Sequence, residues 1–181
     1  MTWEVFTYNV EIAGKRHDVV SPIDGRWLFE HGYGLSERAI FGVLLRRIDD
    51  GGQITPENLR PNRSFVDFLH ELLAAEAPKT KSARLQATRQ REGYRYLIDG
   101  RIPDPGGRVP PEDIIGAIAI QAGTLIPTTD QRNDRHRLLT SDGFFVSSAE
   151  LEATLMHQMR AACEQQPPSK PPVPKPDGPL G

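Results

Sequence analysis

Apolar and polar residues alternate from Trp3 to Ile12, which places Phe6, Tyr8, Val10 and Ile12 on one face of an extended strand. Ala13-Gly14-Lys15-Arg16 reads as a turn and His17 to Val20 as a short return strand. Ser21 to Gly25 breaks the pattern, and Trp27-Leu28-Phe29 is a brief apolar run expected as a strand or a core-facing loop. The strongest helical period follows. Ser36 serves as N-cap, Glu37 suits the first turn, and Ile40, Val43, Leu44 and Ile48 form a stripe that Asp49-Asp50-Gly51-Gly52 ends. A second helix follows Pro61, with Ser64 and Asp67 as a capping pair and Phe65, Phe68, Leu69, Leu72 and Leu73 as its apolar face; Pro78 stops it.

Residues 79–92 are polar almost all round, which predicts an exposed helix or a linker. Tyr94 to Ile98 reads as a strand, and the prolines and glycines between Pro103 and Pro111 as a rigid loop. Ile114 to Ile120, a Gln121-Ala122-Gly123 turn and Thr124-Leu125-Ile126 predict a β-hairpin. Leu138-Leu139 and Phe144 to Val146 flank an Asp142-Gly143 turn, and a last helix starts at Ser147 or Ser148 along Leu151, Leu155, Met159 and Cys163. Strands and helices therefore come in blocks. The expected fold is α+β, a single domain over 1–163 in which a small, mostly antiparallel sheet packs against about three helices. Residues 164–181, with seven prolines between Gln166 and Gly181, are expected as a flexible polyproline tail. The tetrapeptide Ile-Asp-Gly-Arg occurs at 23–26 and at 98–101 in unrelated flanks, which marks a recurring turn and not a repeat.

Composition changes this picture little. The chain of 181 residues is 38% hydrophobic and 25% charged, as globular domains are. Its one cysteine, Cys163, allows no intramolecular disulfide and sits at the dipole-negative end of a helix, where a thiol is a poor nucleophile. Met1 to Val5 lacks the basic and apolar regions of a secretory signal, and no apolar run is long enough to span a bilayer. The expectation is a cytoplasmic protein without a membrane partner.

Charge changes it more. Net charge is −2, yet residues 79–101 hold seven basic and two acidic side chains, a local +5. Arg84, Arg89, Arg91 and Arg95 are interleaved there with Tyr94 and Tyr96, and these six residues are the candidate partner-binding set. Cations beside aromatic rings suit an acidic protein surface, or single-stranded nucleic acid through phosphate contact and base stacking. Asp130, Asp134 and His136 share a polar loop and form a weak candidate metal set, with hard oxygen ligands and one imidazole. His17, His70 and His157 read as surface or boundary residues. Gly32-Tyr33-Gly34 does not continue into a dinucleotide fingerprint, because Glu37 stands where the third glycine belongs and would repel a pyrophosphate. No serine elbow or paired carboxylates point to a reaction, so no cofactor is expected. The leading expectation is an adaptor or assembly protein that uses 79–101 and the tail as contact surfaces. A small nucleic-acid-binding protein is the alternative, and a metal-dependent hydrolase at Asp130, Asp134 and His136 the third.

Overall fold

The computed structural model describes residues 3–48, 52–101 and 109–168, with the side chains of 128–130 outside that description. The proline-rich segments 102–108 and 169–181 lie outside the described residues. Strands β1 (Phe6–Ile12) and β2 (Lys15–Ser21) form the hairpin that the alternation predicts, in register with Tyr8 opposite Val19. Ala13 and Gly14 turn it with φ of 50° and 77°, the paired positive angles whose twist matches that of the flanking strands. Tyr8 points inward and its hydroxyl donates to the Ile23 carbonyl.

Two elements differ from expectation. The Ser36–Ile48 stripe is not a helix. Ser36 does cap, accepting from Arg38 N at 3.4 Å, but only for a single 3₁₀ turn, Glu37–Ala39. The chain then enters strand β3 (Gly42–Leu44), followed by β4 (Leu59–Pro61), to give a four-stranded antiparallel sheet in the order β1-β2-β3-β4. The cause is a continuous apolar run, Ala39 to Leu45. Such a run satisfies a helical period, but it also suits a strand buried on both faces. Here Phe41 enters the main core and Leu44 a smaller one behind the sheet. Trp27-Leu28-Phe29, expected as strand or loop, lies instead in helix α1 (Gly25–His31). Asp24 caps it by accepting from Arg26 N at 2.8 Å, and Gly32 ends it with φ 67°.

The rest follows the pattern. Helix α2 (Arg63–Glu76) buries Phe65, Phe68, Leu69, Leu72 and Leu73, although its N-cap is Asn62 and not Ser64. Helix α3 (Lys81–Gln90) occupies the polar segment. Strands β5 (Gly93–Ile98), β6 (Ile114–Gln121) and β7 (Thr124–Arg132) make a three-stranded antiparallel sheet in that order. Strands β8 (Leu139–Thr140) and β9 (Gly143–Phe144) form a two-stranded ribbon. Helix α4 (Ala149–Glu164) closes the described chain, capped by Ser148. The architecture is α+β, with four helices and antiparallel sheets of four, three and two strands among the described residues.

Both larger sheets and all four helices supply one apolar cluster. Phe41 stands at its centre, with the rings of Trp3, Phe65, Phe144 and Phe145 at centroid distances of 5.6, 4.6, 5.4 and 5.7 Å. Behind the four-stranded sheet, Val20, Leu44, Leu59 and Leu139 form a satellite cluster that the β8–β9 ribbon covers. Cys163 is buried in the main core, where burial pushes its thiol up, as a structural cysteine requires.

Gly42 is the tightest point of this packing. A Cβ there would lie 2.6 Å from the Arg60 carbonyl oxygen and 2.9 Å from Leu59 Cδ1. The Gly42→Ala variant is therefore expected to lose about 1–3 kcal/mol of stability through backbone displacement. Urea unfolding measures this, and an unchanged midpoint would contradict the close approach.

Candidate functional site

Two constellations carry chemistry, and both grow out of residues 79–101. The first is the basic and aromatic segment. Thr80 caps α3 by accepting from Ala83 N at 3.3 Å, and the helix seats Ala83 and Ala87 against the three-stranded sheet. Such a narrow apolar stripe leaves Arg84 and Arg89 on the solvent side. Arg91 ends the helix with φ 65°, and its N–H donates to the Ala87 carbonyl at 2.9 Å. The bend is tied to the β6–β7 turn, because Gly123 N donates to the Arg91 carbonyl at 2.8 Å and Ala122 N to Glu92 Oε1 at 2.9 Å.

Strand β5 then splits the candidate set by its period of two. Arg95 faces α3. Its Nη1 donates to Gln86 Oε1, and desolvation holds its guanidinium below the usual range. Leu97 shares this inner face, with Ile118 and Ile120 of β6. Tyr94, Tyr96 and Ile98 point the other way and are 45, 57 and 48% exposed. Tyr94 is in one cross-strand row with Ala119 and Ile126, and Tyr96 in the next with Ala117 and Gln131. The helices α2 and α3 thus cover one face of the sheet, while two tyrosines and an isoleucine line the other beside small residues. The guanidiniums of Arg84, Arg89 and Arg95 belong to the helix layer, on the opposite side of the sheet from the tyrosine rings, and Arg91 is exposed at the bend between α3 and β5.

The second constellation is a buried ionic network that sequence reasoning missed. Arg101 follows β5 after a tight turn in which Asp99 Oδ1 accepts from Arg101 N at 3.2 Å. The Arg101 side chain is 1% exposed. Its Nη2 pairs with Asp99 Oδ2 at 3.0 Å and Asp113 Oδ1 at 2.9 Å and donates to the Arg137 carbonyl at 2.8 Å. Its Nη1 donates to Thr140 Oγ1 at 3.1 Å and the Gly143 carbonyl at 3.2 Å. Asp99 also receives Val146 N at 2.8 Å and faces His136 Nε2 at 3.0 Å. Burial raises the Asp113 carboxyl, and the Arg101 guanidinium offsets only part of that rise. A buried guanidinium needs carboxylates and carbonyls around its fork, and both terminal nitrogens are supplied with them here, while Arg101 Nε is buried without a hydrogen-bond partner among the described residues.

This network decides where the metal candidates go. The His136 ring is turned inward onto Asp99 with 2% exposure, whereas Asp134 is 94% exposed and lies 3.7 Å from Arg132. Asp130 lies on strand β7 and not in the polar loop expected for all three residues, and its side chain lies outside the described residues. Among the described residues no group of three His, Cys, Asp or Glu is placed to hold a metal ion. His70, expected at the surface or a boundary, is buried on α2 with its ring edge-on to His136 at 6.5 Å. Its position on the Phe65–Leu73 face was readable, since it lies three residues before Leu73, on the same side of the helix. The only sequence signal for Arg101 was the repeated Ile-Asp-Gly-Arg turn.

Compared with known proteins, the chain matches no family model, no curated protein and no solved structure. No described helix is long and apolar enough to cross a membrane.

Arg101→Met would leave two buried carboxylates without their cation, at an expected cost of about 3–5 kcal/mol in urea unfolding; a loss below about 1 kcal/mol would mean that the network contributes nothing net. His70 supplies a pH dependence. Burial first, then the charges of Arg132 and His136, lower it from 6.5 to about 4. The folded state thus binds its proton later than the unfolded chain does. Stability from His70 is complete above pH 6.5 and is lost as pH falls toward 4. Discounted for solvent screening, the expected loss is about 2 kcal/mol. His70→Leu should flatten this part of the stability profile between pH 7 and 4.5, and an identical slope in both proteins would refute the assignment.

Proposed function

We propose that this chain is a non-enzymatic interaction protein that binds another protein through the outer face of its three-stranded sheet. The observation that carries this reading is the exposure of Tyr94, Tyr96 and Ile98 side by side on β5, an edge strand. Tyrosine gives large contact area at low entropic cost and is enriched at interface cores. Ala117 and Ala119, opposite the tyrosines on β6, are small and buried, so Tyr94, Tyr96 and Ile98 carry the exposed apolar area on this side of β5.

Two tyrosines at alternate positions on an open sheet are also a platform on which nucleic-acid bases stack. The partition of charge favours protein over nucleic acid. A stacking platform needs cations along the same surface to hold the phosphates, and Arg84, Arg89 and Arg95 stand on the helix layer. The proline-rich tail remains a second contact surface within the proposal, as a tether or a ligand for an aromatic groove.

The test is affinity capture from host lysate with the full chain and with Tyr94→Ser/Tyr96→Ser, each with and without nuclease. Both tyrosines are half exposed, so the double variant is expected to keep its stability within about 1 kcal/mol. The expected result is a discrete protein that survives nuclease and is lost with the double variant. Capture that both proteins perform equally would overturn the assignment to this face, and recovery of nucleic acid through the tyrosines would replace protein by nucleic acid as the partner class.

A further inference from the structure

A groove opens over the satellite cluster, between the outer face of the four-stranded sheet and the β8–β9 ribbon. Val5, Ile48, Ile54, Leu139 and Phe144 give it an apolar floor. Its volume, about 1220 Å³, exceeds the roughly 300–1,000 Å³ of pockets that enclose small molecules. It is also open to solvent along its length, so an occupant would be laid in, not enclosed.

The charge of the walls selects the occupant. The lining holds five carboxylates, Asp18, Glu57, Glu112, Asp113 and Asp142, against two guanidiniums, Arg47 and Arg137. Asp113 is already committed to Arg101. The other four have no ion-pair partner among the described residues. A nucleic acid is repelled by such walls, and a polyamine would leave the apolar floor in water. We propose that the groove binds an extended polypeptide segment in which cationic side chains alternate with aliphatic ones. Alternate residues of an extended chain point to opposite sides, so the aliphatic set meets the floor while the cationic set reaches the carboxylates at the rim. The site is separate from the tyrosine face, and it stands or falls independently of that reading.

Fluorescence anisotropy of a fluorescein-labelled peptide of alternating arginine and valine, titrated with the full chain, tests this. A counterpart with glutamate for arginine serves as the charge control. The expected outcome is saturable binding of the arginine peptide, with a Kd on the order of 10 μM, as suits a transient contact. Glu57→Lys/Asp142→Lys changes two exposed rim carboxylates that form no ion pair among the described residues, and it is expected to weaken binding at least about tenfold. Glu71→Lys, an exposed change on α2 away from the groove, should leave binding intact. Three results would each overturn the proposal: no saturation up to about 1 mM chain, equal binding of the glutamate peptide, or equal loss with Glu71→Lys.

Discussion

Burial of the Arg101 guanidinium is the constraint on which the second half of this protein depends. A charge taken from water is tolerable only with compensating partners, and those of the two terminal nitrogens come from far along the chain: Asp113 before β6, the Arg137 carbonyl after β7, and Thr140 and Gly143 on the ribbon. One side chain therefore sets the relative positions of the end of β5, the start of β6, the 133–137 turn and the β8–β9 ribbon. The ribbon in turn covers the satellite cluster and walls the groove above it. Local contacts of the two-stranded ribbon could not hold it in place, because an isolated pair of short strands is marginal in water.

The three-stranded sheet shows the opposite economy. Helices α2 and α3 bury its inner face, and on the outer face Tyr94, Tyr96 and Ile98 are about half exposed while Ala117 and Ala119 beside them are buried. Tyr94, Tyr96 and Ile98 leave that face more apolar than a purely solvated face would be. The open face and the acidic groove are independent surfaces with opposite chemistry, one aromatic and weakly charged, the other anionic over an apolar floor.

Much of the fold was legible because period and turn chemistry agree. The β1–β2 hairpin, α2, the β6–β7 hairpin and α4 each combine the right spacing with a suitable cap or turn. The two failures have different causes. The run from Ala39 to Leu45 is apolar at every position, so spacing could not distinguish a helical stripe from a strand buried on both sides. In α1, only seven residues long, Trp27-Leu28-Phe29 looked like a strand because its cap, Asp24, and its stop, Gly32, were read as parts of loops. For the candidate site, the six residues at 84–96 were identifiable from charge and aromatic content, but their division between two layers was not. That division depends on which face of β5 meets α3, a choice made by Ala83 and Ala87 packing on the sheet.

The two Ile-Asp-Gly-Arg segments separate the two kinds of information. In both, the aspartate accepts from the backbone N–H two residues on, at 2.8 Å for Asp24 and 3.2 Å for Asp99. The sequence by itself determined that turn, because an aspartate followed by glycine makes it with no help from elsewhere. The fates of the two arginines were decided by tertiary structure alone. Arg26 points into solvent on α1, whereas Arg101 meets two carboxylates and three carbonyls brought from distant segments. Turn formation is a matter of a few bonds within four residues, while burial of a charge depends on every group that surrounds it, and only the folded chain brings those groups together.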